Sequence, residues 1–528
     1  SYPYVVGGVS TWTHHLIKAL PEIAFSIVYV GVSKHQVQKM EYRLPENVKQ
    51  FNEIYLLDPV VIKSTRRKFQ RSAWKRVEEF VEQLENGDPT SFHAVAEALT
   101  SGEDPAITPY DILYSRRFWD IMVGVYRRNF PNLSFLDFFW TCRFLMLPIF
   151  QLLYAPIPEA RVYHATCTGY AGLLGALGRR RYGSPLILTE HGIYTKERMI
   201  EIAQAAYIYN EVVVDYVPRR ELGLLQNLWM SKFKMLAQIA YNESEQIITL
   251  YGGNQKTQVQ HGAPPEKCVI IPNGIEVARY AELVEKSAPK DPGYHVAFVG
   301  RISPIKDPKT FIRAARAVVD RLPTATFYLL GTPDEDVDYY EECRALAELL
   351  ELGPRLRFMG SVDMSQWYPK LDLVVLTSVS EAQHFVIIEA MAVGVPCVST
   401  NVGACSELLF GGIEEDRRLG SAGLVTNVNS PEETAKAVIQ LLEDTELRKK
   451  MAQTGRERSF RFYQRQSVIN RYRDVYREMM AKRDASGMLG GPTTKGEPRT
   501  QTARTASVEL GADGGFFEGA TASKGRRT

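Results

Sequence analysis

The stretch Leu371 to Pro396, LDLVVLTSVSEAQHFVIIEAMAVGVP, constrains the fold more than any other in this chain. Leu371 to Leu376 is a short run rich in Val and Leu, the mark of a strand buried on both faces, and it ends in the polar loop Thr377 to Ser380. A helix is predicted from about His384 to Val393, apolar on nearly every side and closed by Gly394 with Pro396 just beyond. A helix apolar all round is a buried helix.

Two glutamates interrupt this apolar stretch. Glu389 points a carboxylate into a covered place where an uncompensated charge is costly, so a donor should be waiting for it, and a pair of ligand hydroxyls would serve. Glu381 lies eight residues earlier at the carboxyl end of the strand, where open α/β sheets bind ligands. The amides of Gln383, His384 and Phe385 open the helix toward the same crevice and favour an anion there.

With these residues the chain resembles family four of the retaining glycosyltransferases, whose E-x7-E pattern Glu381 and Glu389 match. The resemblance implies the GT-B fold, with Glu381 on the donor sugar, Glu389 on the ribose of the nucleotide, and the intervening amides on sugar and diphosphate. That family has Gly after the first Glu where this chain has Ala382. If the position requires positive φ, Ala382 strains the loop.

At 528 residues the chain is long for one domain. Its 45% hydrophobic and 23% charged residues are ordinary for a globular protein, and 63 basic against 61 acidic residues leave no general basic field for nucleic acid. The six cysteines (Cys142, Cys167, Cys268, Cys343, Cys397, Cys405) lack metal-ligand spacing and read as reduced thiols of a cytosolic protein. No metal and no cofactor are expected. No signal peptide is visible, and the missing Met at Ser1 fits a chain truncated at its start.

Along the chain, Gly7-Gly8 opens a helix carrying Trp12, small residues that let backbone approach a phosphate or sugar. Strand-like runs follow at AFSIVYVGV and at Asn52 to Leu57. From about 60 to 159 the pattern turns helical, too long for a loop and read as an insertion. Its cluster Lys63, Arg66, Arg67, Lys68, Arg71, Lys75 and Arg76 reads as a solvated face that could also dock an acidic partner or anionic lipid. Its apolar stretch Phe135 to Ile157, broken by Asp137, Arg143, Pro148 and Gln151, reads as a buried or amphipathic helix pair rather than a membrane span.

Strands return at ARVYHAT and PLILTEHG, with Gly169, Gly172, Gly175 and Gly178 between them favouring close helix packing. His191 follows the second of these strands at its carboxyl edge. Pro272-Asn273-Gly274 marks an interdomain linker, after which HVAFVGRISPIKD places Arg301 and Lys306 beyond a strand end, two cations suited to a diphosphate. Asp334-Glu335-Asp336 formally offers a metal-binding D-x-D, read here as an acidic surface loop. From 484 to 528 the chain is Gly, Ser, Thr and Ala with sparse charge, a predicted disordered tail.

Within the family, YPYVVGGVSTW, HATCTGYAG and LTEHGIYTKERMIEI are similar to the PelF branch that makes Pel-type exopolysaccharide. That likeness implies cytosolic transfer from a UDP-sugar to a growing polysaccharide beside an inner-membrane synthase complex. It also carries over roles for His191 near the donor phosphates and for the R-x4-K pair Arg301 and Lys306. The expected architecture is α/β: a Rossmann-like acceptor domain at 1–273, a Rossmann-like nucleotide-sugar domain at 274–460 facing it across a cleft, and a helix at 461–483 crossing back. A sugar-nucleotide epimerase or hydrolase, and a non-catalytic assembly subunit, are the rival readings.

Overall fold

A computed structural model of the chain describes residues 2–34, 39–58, 71–83, 87–100, 107–204, 223–285, 291–333 and 337–487. The basic residues Lys63, Arg66, Arg67 and Lys68, the acidic loop Asp334 to Asp336 and the tail from 488 onward lie outside the described residues.

The second half is built on one parallel sheet of six strands. They are β7 (Tyr294–Val299), β8 (Ala325–Leu330), β9 (Leu356–Gly360), β10 (Leu373–Leu376), β11 (Cys397–Thr400) and β12 (Gly423–Thr426), ordered β12-β11-β10-β7-β8-β9. β10 pairs with β7 through Val374 and Ala297 and with β11 through Val375 and Val398. It is therefore a central strand, and all four of its residues are buried, as a strand covered by helices on both faces must be. The strand order reverses beside β10 and β7, so the loops after these two strands open on one crevice.

The first half has two parallel sheets. β1 (Phe25–Gly31) pairs with β2 (Val48–Tyr55), and β3 (Tyr163–Ala165), β4 (Leu186–Glu190), β5 (Ser244–Thr249) and β6 (Cys268–Ile270) form the other, in that order. Val28 and Val30 of β1 pack against the same core as Leu173, Leu186 and Leu236, so apolar packing, not a shared ladder, joins the two sheets. β2 begins at Val48, four residues before the strand expected at Asn52, since Val48 to Phe51 already pairs with β1.

Between β2 and β3 lie the helices Arg71–Gln83, Thr90–Thr100, Pro109–Tyr114, Arg116–Asn129 and Phe135–Leu153. The stretch expected to be a helix pair is one helix of 19 residues that continues through Pro148. It is long and apolar enough to cross a membrane by length and composition, but most of it is buried inside the fold. The glycine spacing of helix Tyr170–Tyr182 does serve packing: a Cβ on Gly175 would lie 2.5 Å from Leu186 Cδ1.

The last helix, Arg465–Gly487, follows the second half in sequence yet lies against the first. Tyr472 stands edge-on to Trp12 with ring centroids 5.3 Å apart, and Tyr476 Oη is 2.6 Å from His164 Nδ1.

Candidate functional site

β10 ends at Leu376, and the next eight residues carry the chain to helix Phe385–Val393, whose N-cap is His384. Gly394 closes that helix at φ 83, the left-handed turn that a residue without Cβ takes at least cost. Opposite this loop, β7 leads through Arg301 to the short turn Pro304–Lys306.

The two loops meet at Glu381. Lys306 Nζ donates to Glu381 Oε1, and His384 Nε2 lies 3.1 Å from the same oxygen, near enough for an ion pair though not aligned for a hydrogen bond. Burial alone would raise the Glu381 carboxyl, but the His384 ring and the Lys306 ammonium outweigh it and hold it at about 2. Glu381 is thus a carboxylate at any physiological pH. Arg301 is exposed on the same side of β7.

Beneath this loop Gly403, at φ 54, leaves no room for a side chain. A Cβ there would lie 2.3 Å from the Glu381 carbonyl oxygen and 2.4 Å from that of Ala382. Among the described residues the non-glycine ones at positive φ are Asp307, Glu351 and Asn429, so Ala382 takes up ordinary backbone and the strain expected of it does not arise.

Glu389 has the donors that its position requires, and they are tyrosines. Tyr368 Oη donates to Glu389 Oε2 at 2.8 Å, and Tyr280 supplies a second hydroxyl. Burial raises the Glu389 carboxyl, and these hydroxyls only partly offset it. Phe385, at the first turn of the same helix, is 36% exposed, Val386 and Glu389 are partly buried, and the other residues of the helix are buried.

The side chain of Gln383, whose backbone amide was the group expected at the crevice, braces the loop. Its Oε1 accepts from Asn273 N at 2.6 Å and its Nε2 donates to Leu250 O at 3.5 Å, tying the loop to the linker and to the end of β5. Close by, Glu407 of the second half accepts from the amides of Gly252 and Gly253 at 2.8 and 2.9 Å. Those amides open helix Gly252–Gln260 of the first half, so a carboxylate from one half caps a helix of the other.

In the first half, His191 follows β4 and packs edge-on to Trp12, ring centroids 4.6 Å apart. Trp12 belongs to helix Gly8–Ala19, which Gly7 caps; Gly7 and Gly8 are exposed with open space around both. Burial lowers His191 to about 4, so its ring is neutral, and its buried Nε2 finds no hydrogen-bond partner among the described residues. Beside it Glu190 is buried, accepting from Tyr241 at 2.8 Å, Gln258 at 2.9 Å and Thr168 at 3.1 Å. Burial raises its carboxyl, with those donors opposing.

The geometry therefore brings together Lys306, Glu381 and His384. It carries Phe385 and Glu389 on the helix that follows, leaves Arg301 exposed after β7, engages the Gln383 side chain with Asn273 and Leu250, and builds His191, Gly7 and Gly8 into the other half. Sequence reasoning missed Tyr280, Tyr368, Gly403, Glu407 and Glu190. A signal existed for Glu190, an acid closing the strand LILTE, and for Gly252-Gly253, a glycine pair opening a helix as Gly7-Gly8 does. Among the described residues no cluster of His, Cys, Asp or Glu could hold a metal ion.

Residues 1–266 match the family described as a domain of unknown function, DUF3492, and residues 293–444 match the glycosyl transferases group 1. A D-inositol 3-phosphate glycosyltransferase of Paenarthrobacter aurescens is 26% identical over 42% of this chain, and the chain spans about half of that relative, 54%. One from Kribbella flavida is 26% identical over 59% of this chain and 71% of its own length. The sucrose-phosphate synthase structure from Thermosynechococcus elongatus covers 90% of this chain and 94% of its own with a TM-score of 0.52, and at 16% identity that likeness shows the fold. Two parallel α/β halves closed by a returning helix are the GT-B fold. The chain belongs to the DUF3492 family over its first half and carries a glycosyl transferases group 1 region over residues 293–444.

Proposed function

We propose that the chain is a retaining glycosyltransferase that moves a sugar from a UDP-sugar, of the UDP-glucose or UDP-N-acetylhexosamine class, to a growing exopolysaccharide. The observation that carries this reading is the convergence of Lys306, His384 and Glu381 at a helix N-terminus, with Glu389 about one turn into that helix. A diphosphate needs cations and free amides, and a ribose needs an acceptor for its hydroxyl pair.

In this reading Arg301, Lys306 and the amides at His384 and Phe385 stabilise the charge that gathers on the departing UDP. As the sugar–phosphate bond loosens, the phosphate oxygen takes the acceptor's proton on the same face. Glu381 and the neutral His191 hold the sugar through its hydroxyls. The cations do the work a metal does elsewhere, so turnover should survive excess EDTA. Work in the cytoplasm, beside an inner-membrane synthase complex, belongs to the same proposal.

The test is Glu389→Ala with UDP titrated into the purified protein. Weakened UDP binding with the fold intact is expected, and unchanged affinity by calorimetry removes the ribose assignment. A screen of sugar nucleotides with and without oligosaccharide acceptor separates transfer from the rival reading. Free sugar or an isomer formed without need of acceptor points to a hydrolase or epimerase.

A further inference from the structure

The helices Pro109–Tyr114, Arg116–Asn129 and Phe135–Leu153 bury one side in the core through Phe118, Met122, Phe138, Leu145 and Phe150. Their outer side does not turn polar. Tyr110, Tyr114, Trp119, Leu136, Trp140 and Phe144 are all exposed, Tyr114 and Leu136 to 62%. Single exposed apolar side chains are ordinary, whereas a contiguous patch marks an interaction surface.

These rings are contiguous. Tyr110 and Tyr114 lie 4.7 Å apart, and the Arg143 guanidinium sits over Tyr114 at 5.7 Å and over Trp140 at 5.6 Å. Trp140 continues to Phe144 at 6.1 Å, and Phe139 joins Trp140 to Trp119 at 5.4 Å on each side. Leu136, Trp140 and Phe144 recur every four residues, which sets them along one stripe of their helix.

Charge selects the occupant. The three helices carry five arginines against three aspartates; Arg116, Arg117 and Arg128 pair with Asp120, Glu78 and Glu82, and Arg143 is the cation that stands among the rings of the patch. Asp111 accepts from Thr108 N at 2.7 Å, Asp120 pairs with Arg116 at 3.1 Å, and Asp137 stands in the first turn of its helix where the dipole favours it. Trp and Tyr join an apolar body to a polar tip and suit the boundary between water and hydrocarbon, and arginine among them suits phosphate headgroups.

We propose that this face seats the protein on an anionic lipid surface, with Trp119, Trp140 and Phe144 at the headgroup–acyl boundary and Arg143 among the phosphates. The proposal uses no donor-site residue and stands or falls apart from the transferase reading.

Co-flotation of the full chain with vesicles of phosphatidylcholine, with and without phosphatidylglycerol, tests it. Binding to the phosphatidylglycerol vesicles that weakens with salt is expected. Trp140→Glu combined with Phe144→Glu should abolish it, Arg143→Ala should reduce it about fivefold, and Phe460→Glu, at an exposed ring of the other half, should leave it unchanged. Should the double variant unfold by circular dichroism, Leu136→Ser carries the test with a smaller loss. Absence of flotation, as a protein or glycan occupant would give, overturns the proposal. Flotation that the patch variants retain, or that Phe460→Glu loses equally, overturns it too.

Discussion

The two halves handle buried charge in opposite ways. In the second half two buried ions meet their counterparts, with Glu389 the exception: Glu381 faces Lys306 and His384, and Arg458, fully buried, is bound by the Asp416 carboxylate and by the carbonyls of Leu409 and Gly420. In the first half burial pushes the groups toward neutrality instead. His191 falls to about 4, and His164, held between Tyr476 and Thr189, falls to about 3. Lys232, with its ammonium donating to Tyr170 and sitting over the rings of Trp229 and Phe233, falls to about 7. On the proposed reading, a half that holds an anionic donor keeps fixed charges, and a half that presents neutral imidazoles suits uncharged hydroxyls.

The largest test of this contrast is Arg458→Met. It leaves Asp416 buried without its cation and should cost about 3–5 kcal/mol in denaturant unfolding. A loss below about 1 kcal/mol would show that the second half does not depend on paired charge.

Next in size is the acid limb. Glu381 sits at about 2 against an ordinary 4.5, so the folded state binds fewer protons than the unfolded chain between those values. Its stabilisation of about 3 kcal/mol is complete above pH 4.5 and is lost as pH falls toward 2. Glu381→Gln should flatten that limb and cut turnover roughly a hundredfold.

Lys232 predicts a slope of the same sign in a higher pH window. Its folded value of about 7 lies below the ordinary 10.5, so the unfolded chain holds a proton that the native state lacks, and stability rises with pH from about 7. Lys232→Met should remove this slope and leave stability unchanged or raised by about 1–4 kcal/mol. Destabilisation at pH 8 would mean that the amine is held by more than its burial admits.

Glu407→Gln probes the seam between the halves. One oxygen still accepts from Gly252 or Gly253 while the charge is gone, a loss of about 1–3 kcal/mol from the closed arrangement. Energy transfer between labels on the two halves should report a wider separation, and an unchanged distribution would remove Glu407 from the clasp. The smallest effect belongs to Ala382→Gly, expected within about 1 kcal/mol by thermal melting, because Ala382 is not left-handed.

Much of the second half was legible in advance. Strand, loop and helix around Glu381, the closing Gly394 and the position of Lys306 follow from local patterns, where apolar runs and turn residues act over a few neighbours. The first half was harder. Its two-sheet split and the single helix through Pro148 depend on which apolar faces find each other, and the periodicity of either segment does not carry that information. Glu190 was passed over because an acid at a strand end reads as solvated until Tyr241, Gln258 and Thr168 arrive from three other segments.

The sequence by itself determined that Glu381 and Glu389 lie eight residues apart at one strand end, that a glycine closes their helix, and that two cations follow a neighbouring strand. Chain connectivity fixes such relations because the helix and strand repeats are local. Only the tertiary structure decided the partners of these groups. Tyr280 and Tyr368 reach Glu389, Gly403 lies under the Glu381 loop, and Glu407 crosses to Gly252 and Gly253. Those contacts join residues far apart in sequence, and a buried polar group is satisfied by whatever donor packing brings within about 3 Å, a distance no local pattern encodes.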